Sequence, residues 1–180
     1  MEKQKTAWFL RGNWAPTQQE HDTTELKVEG SIPPELNGVY VRTGPNPASG
    51  SGDHWFLGDG MVHGIRIQNG NALWYRNRFV QTPDITDPLT DPMAGLGDLR
   101  RGKGNTYIMA HSKKILCLEE AHWPWTIDAD LNTVGYENFD GALTCSMTAH
   151  PKICPLTGEL LAFSYFSFEQ PYLQYIRVGA

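Results

Sequence analysis

The sequence predicts an all-β protein, because short strand-like runs alternate with turn signals and no stretch shows a convincing helical pattern. The clearest turn signal is Asn69-Gly70 in "MVHGIRIQNGNALWYRNRFV", where two strand-like runs flank the dipeptide that two-residue hairpins favour. In the first of these runs Ile65 and Ile67 alternate with Arg66, as in a strand with one wet face. The residues themselves leave a sandwich, a barrel and a propeller open.

Candidate strands follow one another along most of the chain. Residues 1–29 are polar and poorly periodic, so we expect an extended N-terminal arm followed by a β domain over residues 30–180. "VYVRT" predicts a strand before the first hairpin, and "NTYIMAHSKKILCLEE" predicts a second hairpin. "DLNTVG" indicates a strand end, and "GELLAFSYFSF" with "PYLQYIRVGA" predicts a third pair. Residues 81–104 are rich in Pro, Asp and Gly, which predicts a long loop.

The bulk composition indicates an ordinary globular protein. The 180 residues carry a net charge of -5 and are 40% hydrophobic, which is too hydrophobic and too weakly charged for a disordered chain. The sequence has no basic patch interleaved with aromatic residues, so we expect no nucleic acid partner. The basic run "GDLRRGKG" is interpreted as a solvated loop.

Cysteine usage and the N-terminal sequence predict a cytoplasmic protein. Cys117, Cys145 and Cys154 have no CxxC spacing, which indicates neither a disulfide framework nor a thiolate metal site. The opening "MEKQKTAWFLRGNWAP" lacks the apolar run of a signal peptide, and no stretch is long and apolar enough to span a bilayer. A peripheral membrane contact stays open, because such patches assemble from separated loops. The residues assign no oligomeric state.

A lone histidine in "SMTAHPKICPLTGELLAFSYF" is the first candidate for a functional residue. His150 lies between Ala149 and Pro151, ahead of a turn and an apolar run. Pro151 restricts the residue before it to an extended backbone, which can aim the His150 ring while the following strand anchors it. Taken without further context, a histidine near a strand start is more often a structural residue than a metal ligand.

Six motifs in a fixed order give the sequence a wider context. They are "IPPELNGVYVRTGPNP", "HWFLGDGMVHGIRI", "WYRNRFVQT", "NTYIMAHSKKILCLEE", "DLNTVGYENFDG" and "TAHPKICPLTGEL". Together they resemble the N-terminal part of the carotenoid cleavage oxygenase family, which includes the lignostilbene dioxygenases and the retinal pigment epithelium isomerase. The resemblance covers residues 14–179. It implies the first blades of a seven-bladed β-propeller, incomplete in this chain.

The resemblance also implies a chemistry and a set of site residues. In the family an Fe(II) ion is held by four histidines, and O2 splits a conjugated C=C bond of a lipophilic polyene into two carbonyl products. Neutral imidazoles suit Fe(II). His150 in "TAHP" matches the first iron ligand. Glu119 matches a glutamate that orients a later histidine ligand, with Glu120 expected on the opposite strand face. Thr106 matches a threonine that crowds an open iron position, although an ordinary strand threonine is an equal alternative.

Two departures from the family pattern shape the functional prediction. The other three iron ligands of the family lie beyond Ala180, so we expect this chain alone to be inactive, as part of a longer protein or as a truncated, inert product. Leu118 is matched to the position of a substrate-binding lysine in the stilbene-cleaving relatives. An apolar residue there favours a carotenoid or apocarotenoid substrate, while a stilbene-cleaving or isomerase relative remains an alternative.

Overall fold

The structure is a computed structural model that describes residues 7–180, apart from the side chain of Pro92. Residues 1–6 of the predicted arm lie outside the described residues. The strands in the described part of the chain are β1 (His21–Thr23), β2 (Gly38–Pro45), β3 (Gly60–Gln68), β4 (Asn71–Phe79), β5 (Tyr107–His111), β6 (Lys114–Leu118), β7 (Trp125–Ile127), β8 (Thr133–Tyr136), β9 (Lys152–Ile153), β10 (Leu160–Ser164) and β11 (Gln174–Val178). The helical elements are α1 (Pro83–Thr86) and 3₁₀ turns at Trp8–Leu10, Gly12–Trp14, Trp55–Leu57, Pro92–Gly95 and Leu99–Arg101.

The strands form three antiparallel sheets. The first sheet has the order β1-β4-β3-β2, the second β5-β6-β7-β8 and the third β11-β10-β9. Neighbouring strands pair antiparallel within each sheet. The all-β prediction is therefore confirmed, with helical structure limited to single turns. That the propeller has seven blades stays a prediction, because three sheets do not show how many blades the whole protein has.

Two hairpins have the two-residue turns that right-twisted strands favour. Asn69 and Gly70 join β3 to β4 with φ angles of 49° and 75°. Ser112 and Lys113 join β5 to β6 with φ angles of 45° and 64°. Positive φ at both central positions defines the type I′ turn, which matches the strand twist. Both predicted hairpins are confirmed. The turn of the second hairpin contains no glycine, although both of its central residues have positive φ angles.

Both faces of β6 are buried, which places the second sheet between the first and the third. Cys117 packs in a cluster with Val62 of β3. Leu116 and Leu118, on the opposite face of β6, pack in a second cluster with Leu160 of β10. Burying each such aliphatic side chain stabilises the fold by roughly 1.5–3 kcal/mol relative to leaving it in water. Successive side chains of β6 therefore pack against the first sheet on one face and against the third sheet on the other.

Part of the predicted N-terminal arm, residues 1–29, joins the first sheet. The strand β1 pairs with β4, with His21 opposite Asn77. The buried Asn77 side chain accepts a hydrogen bond from the His21 backbone N–H at 2.6 Å and donates to the Gln19 carbonyl at 3.1 Å. A three-residue polar strand has no hydrophobic alternation to reveal it, so the sequence pattern did not indicate this pairing.

The basic run before β5 is held by ion pairs, so its interpretation as a solvated loop was wrong. The Lys103 ammonium lies 2.8 Å from the Asp84 carboxylate and 3.1 Å from that of Asp59. The Arg101 guanidinium lies 3.0 Å from Asp84 and is only 12% exposed. Burial lowers the pKa of Lys103, but the hydrogen bonds and charges of the two aspartates outweigh burial and raise it. The loop is thereby fixed against α1.

Candidate metal centre and substrate cleft

His150 projects into solvent at the start of the third sheet. The residues before it are buried, and the Thr148 backbone N–H donates to the Phe163 carbonyl at 2.9 Å. The His150 N–H in turn donates to the Thr148 hydroxyl at 3.2 Å. The backbone is thus fixed on both sides of the histidine, while its side chain is 65% exposed. A metal ligand needs such a fixed backbone, and most of the His150 ring remains exposed.

The Glu120 carboxylate holds the segment that carries His150. One carboxylate oxygen lies 2.9 Å from the His150 Nε2 atom. The other accepts hydrogen bonds from the Thr148 hydroxyl at 2.9 Å and from the Ala149 N–H at 3.2 Å. Burial, with the charge and hydrogen bond of Glu120, raises the pKa of Tyr165. The Glu120 carboxylate therefore contacts His150, the two residues before it and Tyr165, which follows β10.

Glu119 has different partners from Glu120. Its Oε1 atom accepts from the His122 Nδ1 atom at 2.5 Å and from the Ala121 N–H at 2.7 Å. The sequence prediction placed the two glutamates on opposite faces of one strand, but β6 ends at Leu118 and both follow it. The Glu119 carboxylate therefore accepts from the nearby Ala121 N–H, whereas the Glu120 carboxylate turns to the segment before His150. The role of Glu119 toward a histidine outside this chain stays a prediction.

Thr106 lies at the same end of the second sheet as the two glutamates. Its N–H donates to the Leu118 carbonyl at 3.0 Å, and its hydroxyl donates to the Asn105 side chain at 3.0 Å. The residue is exposed and immediately precedes β5, rather than lying inside a strand. Its proposed position beside an iron ion stays a prediction.

The residues present supply part of a metal site. Within residues 7–180, no group of three or more His, Cys, Asp or Glu side chains lies close enough together to hold a metal ion. His150 is an accessible imidazole, the donor type that suits Fe(II), and Glu120 fixes its surroundings. A single imidazole does not hold Fe(II), so the fit is to one ligand of a larger set. The described residues therefore supply one candidate ligand, and a metal site would need further ones.

A cleft of about 830 Å³ opens beside Glu119 and His122. Its wall is mostly apolar and includes exposed side chains from three separate loops, with Glu119 and His122 as polar members. The apolar members include Phe56, Leu57, Leu96, Leu99, Phe166 and Phe168. Sequence reasoning missed this cleft, because its lining comes from distant segments. The aromatic run "FSYFSF", continuing past the end of β10, was the one local signal.

Leu118 does not face the cleft, so the argument that used it for substrate choice was wrong. Its side chain is fully buried in the core between the second and third sheets. The next residue, Glu119, lines the cleft instead. Because successive side chains alternate, a shift of one residue in register moves a position from core to cleft.

No helix in the described part of the chain is long and apolar enough to cross a membrane. Several exposed apolar side chains line the cleft, among them Phe56, which is 72% exposed, and Phe168, which is 81% exposed. Such a patch marks a contact with a ligand, a partner or a lipid surface.

Comparisons with known proteins identify the relatives of the chain. Residues 14–180 match the family model described as retinal pigment epithelial membrane protein, RPE65. A carotenoid cleavage oxygenase of Mycobacterium tuberculosis is 40% identical over 179 residues, covering 95% of this chain and 36% of its own length. Carotenoid 9,10(9',10')-cleavage dioxygenase 1 of Arabidopsis thaliana is 38% identical over 202 residues, covering 93% of this chain and 37% of the relative.

Two solved structures share the fold. The lignostilbene dioxygenase of Pseudomonas brassicacearum superposes with a TM-score of 0.80 at 31% identity, covering 95% of this chain and 40% of that one. A variant of the Synechocystis enzyme ACO gives 0.66 at 27% identity, covering 83% of this chain and 37% of that one. The chain therefore spans little more than a third of the length of the relatives that it matches.

Proposed function

We propose, because the chain belongs to the RPE65 family of carotenoid cleavage oxygenases, that it is the N-terminal part of an Fe(II)-dependent dioxygenase. The reaction would use O2 to cleave a conjugated C=C bond of a carotenoid or apocarotenoid into two carbonyl products. The names of the sequence relatives support an enzyme of the carotenoid cleavage class. The metal, the substrate and the activity of the whole protein are the proposed part.

One observation carries this proposal: an accessible imidazole on a fixed backbone contacts Glu120, and the preceding residue in the chain lines an apolar cleft. His150 is exposed, and Glu120 accepts hydrogen bonds from the Thr148 hydroxyl and the Ala149 N–H just before it. Glu119, the residue before Glu120, lines the cleft. A long conjugated hydrocarbon has no hydrogen-bonding groups to recognise, so a largely apolar cleft is the matching surface.

The chain's own residues would bind and orient rather than react. The ion, when bound, supplies the site at which O2 is activated. His150 would donate one imidazole to it, and Glu120 would keep the His150 segment in place. The apolar wall would exclude water and fix which double bond lies beside the centre. Positioning of this kind is a large part of the rate advantage of enzymes.

A stilbene is the second candidate substrate. The structural neighbour with a TM-score of 0.80 is named a lignostilbene dioxygenase, and it is 31% identical to this chain. The polar pair Glu119 and His122 in the cleft wall also departs from a purely hydrocarbon surface. The names of the sequence relatives favour a carotenoid as the substrate.

Product analysis tests the proposed reaction. The protein as the cell makes it is incubated with Fe(II), ¹⁸O₂ and either a carotenoid, an apocarotenal or a hydroxystilbene. We expect two shorter carbonyl compounds whose masses add to the substrate plus two oxygen atoms. An isomer of unchanged mass would assign the protein to isomerase chemistry instead. Unchanged substrate in every incubation would contradict the proposal.

We also propose that the exposed apolar rim makes a peripheral contact with membranes, from which a lipophilic substrate is drawn, in an otherwise cytoplasmic protein. Phe56, Leu96 and Phe168 are the exposed members of this rim. Sedimentation with neutral phospholipid vesicles should carry the protein down, and Phe168→Ser should reduce the bound fraction. Equal recovery in the supernatant with and without vesicles would contradict the contact.

A further inference from the structure

We propose that Trp8 and Trp14, in the N-terminal segment, are positioning residues for the substrate cleft. They pack on Trp55, the first residue of the 3₁₀ turn Trp55–Leu57. The other two residues of this turn, Phe56 and Leu57, line the cleft. The inference rests on the proposed function, since it makes a segment that precedes the sheets responsible for the position of one part of the cleft wall.

The three tryptophans form a cluster of mutually contacting rings. The Trp55 ring centroid lies 4.3 Å from that of Trp8 and 4.9 Å from that of Trp14, and the latter two centroids lie 5.9 Å apart. The ring planes meet at 63–87°, which is the edge-to-face geometry that aromatic pairs prefer. Trp8 and Trp14 are 49% and 57% exposed, so each is partly covered at the molecular surface. Trp55 therefore holds the N-terminal segment against the turn.

A side-chain amide ties the same segment to the residues around the turn. The Asn46 Oδ1 atom accepts from the Thr17 N–H at 2.8 Å, and its Nδ2 atom donates to the Thr17 carbonyl at 2.7 Å. The Asn46 N–H donates to the Asp59 carbonyl at 2.7 Å. A Cβ atom on Gly58 would lie 2.8 Å from the Asn46 nitrogen, so the two backbone segments approach closely. The N-terminal segment is therefore linked through Asn46 to the backbone that follows the turn.

The backbone of the turn is held separately by Asn105 and His54. The buried Asn105 amide donates to the carbonyls of Phe56 and Gly58 at 2.9 and 2.7 Å. His54 accepts from the Phe56 N–H at 3.2 Å through Nδ1 and from the Leu57 N–H at 3.2 Å through its carbonyl oxygen. These hydrogen bonds fix the shape of the turn, whereas the tryptophan contacts fix its place against the N-terminal segment.

The cleft-lining side chains of the turn depend on this support. Phe56 is 72% and Leu57 65% exposed, so the backbone beneath them, rather than surrounding side chains, sets their positions. A conjugated ligand is rigid and cannot follow a displaced wall, and a gap of about 1 Å already removes a large part of the dispersion attraction. A wall that is in place before binding also avoids the entropy cost of ordering it. Trp8 and Trp14 should therefore raise the affinity for a rigid ligand by holding the turn.

Hydrogen exchange of the ligand-free protein tests the first step, that the tryptophans hold the turn. The protein as the cell makes it is compared with the double variant Trp8→Ala, Trp14→Ala and with the double variant Trp8→Phe, Trp14→Phe. We expect the Phe56 and Leu57 amides to exchange about tenfold faster in the alanine variant, because local opening breaks their hydrogen bonds to His54. The phenylalanine variant keeps the aromatic contacts and should exchange at the wild-type rate. Exchange in β10 should stay unchanged in both variants.

Binding of all-trans-retinol tests the second step, that the turn shapes the cleft. The fluorescence anisotropy of retinol gives the dissociation constant without using the tryptophan emission that the variants alter. We expect about tenfold weaker binding by the alanine variant and a change of less than about twofold in the phenylalanine variant. Trp14→Ala alone leaves Trp8 on Trp55, so it should give intermediate values and keeps the test available if the double variant is insoluble.

Tyr40→Ala is the matched control for both measurements. It removes an exposed aromatic side chain from β2, and Tyr40 does not line the cleft. Neither the exchange of the turn nor the affinity for retinol should change in this variant. An equal effect of Tyr40→Ala would show that the loss of any exposed aromatic residue loosens the protein, which would overturn the inference.

Three further outcomes would overturn the inference. The first is a turn that exchanges at the wild-type rate in the alanine variant. The second is faster exchange in β10 as well, because the tryptophans would then stabilise the fold in general. The third is unchanged retinol affinity despite a loosened turn, or no retinol binding by the wild type. None of these measurements uses metal or cleavage, so the proposed reaction, which is measured by product mass, can fail or stand independently.

Discussion

Replacing Lys103 by methionine should loosen the cleft wall by removing one cation from two carboxylates. The Lys103 ammonium lies 2.8 Å from Asp84 and 3.1 Å from Asp59, with the lysine side chain 24% exposed. Methionine keeps the length of the side chain and removes the charge and the donors. Asp84 then retains Arg101 as a partner, whereas Asp59 loses its ion pair.

The expected loss is about 2 kcal/mol in the free energy of unfolding at pH 7. Each charge-assisted hydrogen bond contributes about 1.5–3 kcal/mol when buried, and partial exposure reduces this toward about 1 kcal/mol for each of the two contacts. Lys113→Met is the matched control, because Lys113 is an exposed lysine in the β5–β6 turn. It should change the free energy by less than about 0.5 kcal/mol.

The pH dependence gives a second test of the same contact. Burial raises the pKa of Asp84, but the hydrogen bonds and charges of Lys103 and Arg101 outweigh burial and hold it below its usual value. A depressed folded-state pKa stabilises the protein above the unfolded value of about 3.9, and this contribution is lost as pH falls through the folded pKa. Lys103→Met weakens that depression.

The assay is urea unfolding of both variants and the wild type between pH 3 and pH 7. The difference between wild type and Lys103→Met should be largest at neutral pH and shrink toward pH 3. A difference that is absent at pH 7, or equal to that of Lys113→Met, would refute the ion-pair reasoning. A difference that stays constant down to pH 3 would refute the linkage to Asp84.

Two further predictions concern packing and thiol chemistry. A Cβ atom on Gly60 would lie 2.1 Å from the Lys103 carbonyl oxygen, so Gly60→Ala should lower the melting temperature and the soluble yield sharply, whereas Gly38→Ala, with open space around it, should change neither. Similar behaviour of the two variants would contradict the close approach. Burial raises the pKa of Cys117 to about 12, while hydrogen bonds in the following turn lower that of Cys154. Iodoacetamide at pH 8 should therefore label Cys154 first and leave Cys117 unlabelled in the folded protein, as read by peptide mass mapping; early labelling of Cys117 would contradict its burial.

The hairpins were predictable because their signals are local. Asn69-Gly70 specifies a type I′ turn by itself, and alternation in the flanking strands agrees with it. The strand β7 (Trp125–Ile127) was missed, because Pro124 precedes it and its three buried residues show no alternation. Burial on both faces removes the period of two on which strand prediction depends.

Only the part of the site that lies within a sequence motif was predictable. The position of His150 before Pro151 follows from the sequence, but its proximity to Glu120 depends on packing between the second and third sheets. The assignment of Leu118 to the cleft failed by one residue, and alternation moved that position into the core. Short-range patterns do not fix such a register, because it depends on which face the neighbouring sheet covers.

Iron content is the most direct measure of the central claim, that His150 is a ligand of a metal centre whose other ligands lie outside this chain. The protein as the cell makes it, its His150→Ala variant and a His21→Ala control are each titrated with Fe(II) up to an excess over protein, and bound iron is measured by elemental analysis after free iron is removed. The control is an exposed histidine in β1. We predict near one iron per wild-type or control chain and at least about a tenfold lower affinity for His150→Ala, the scale expected even for a weakened ligand set. Equal iron in all three proteins would contradict the claim.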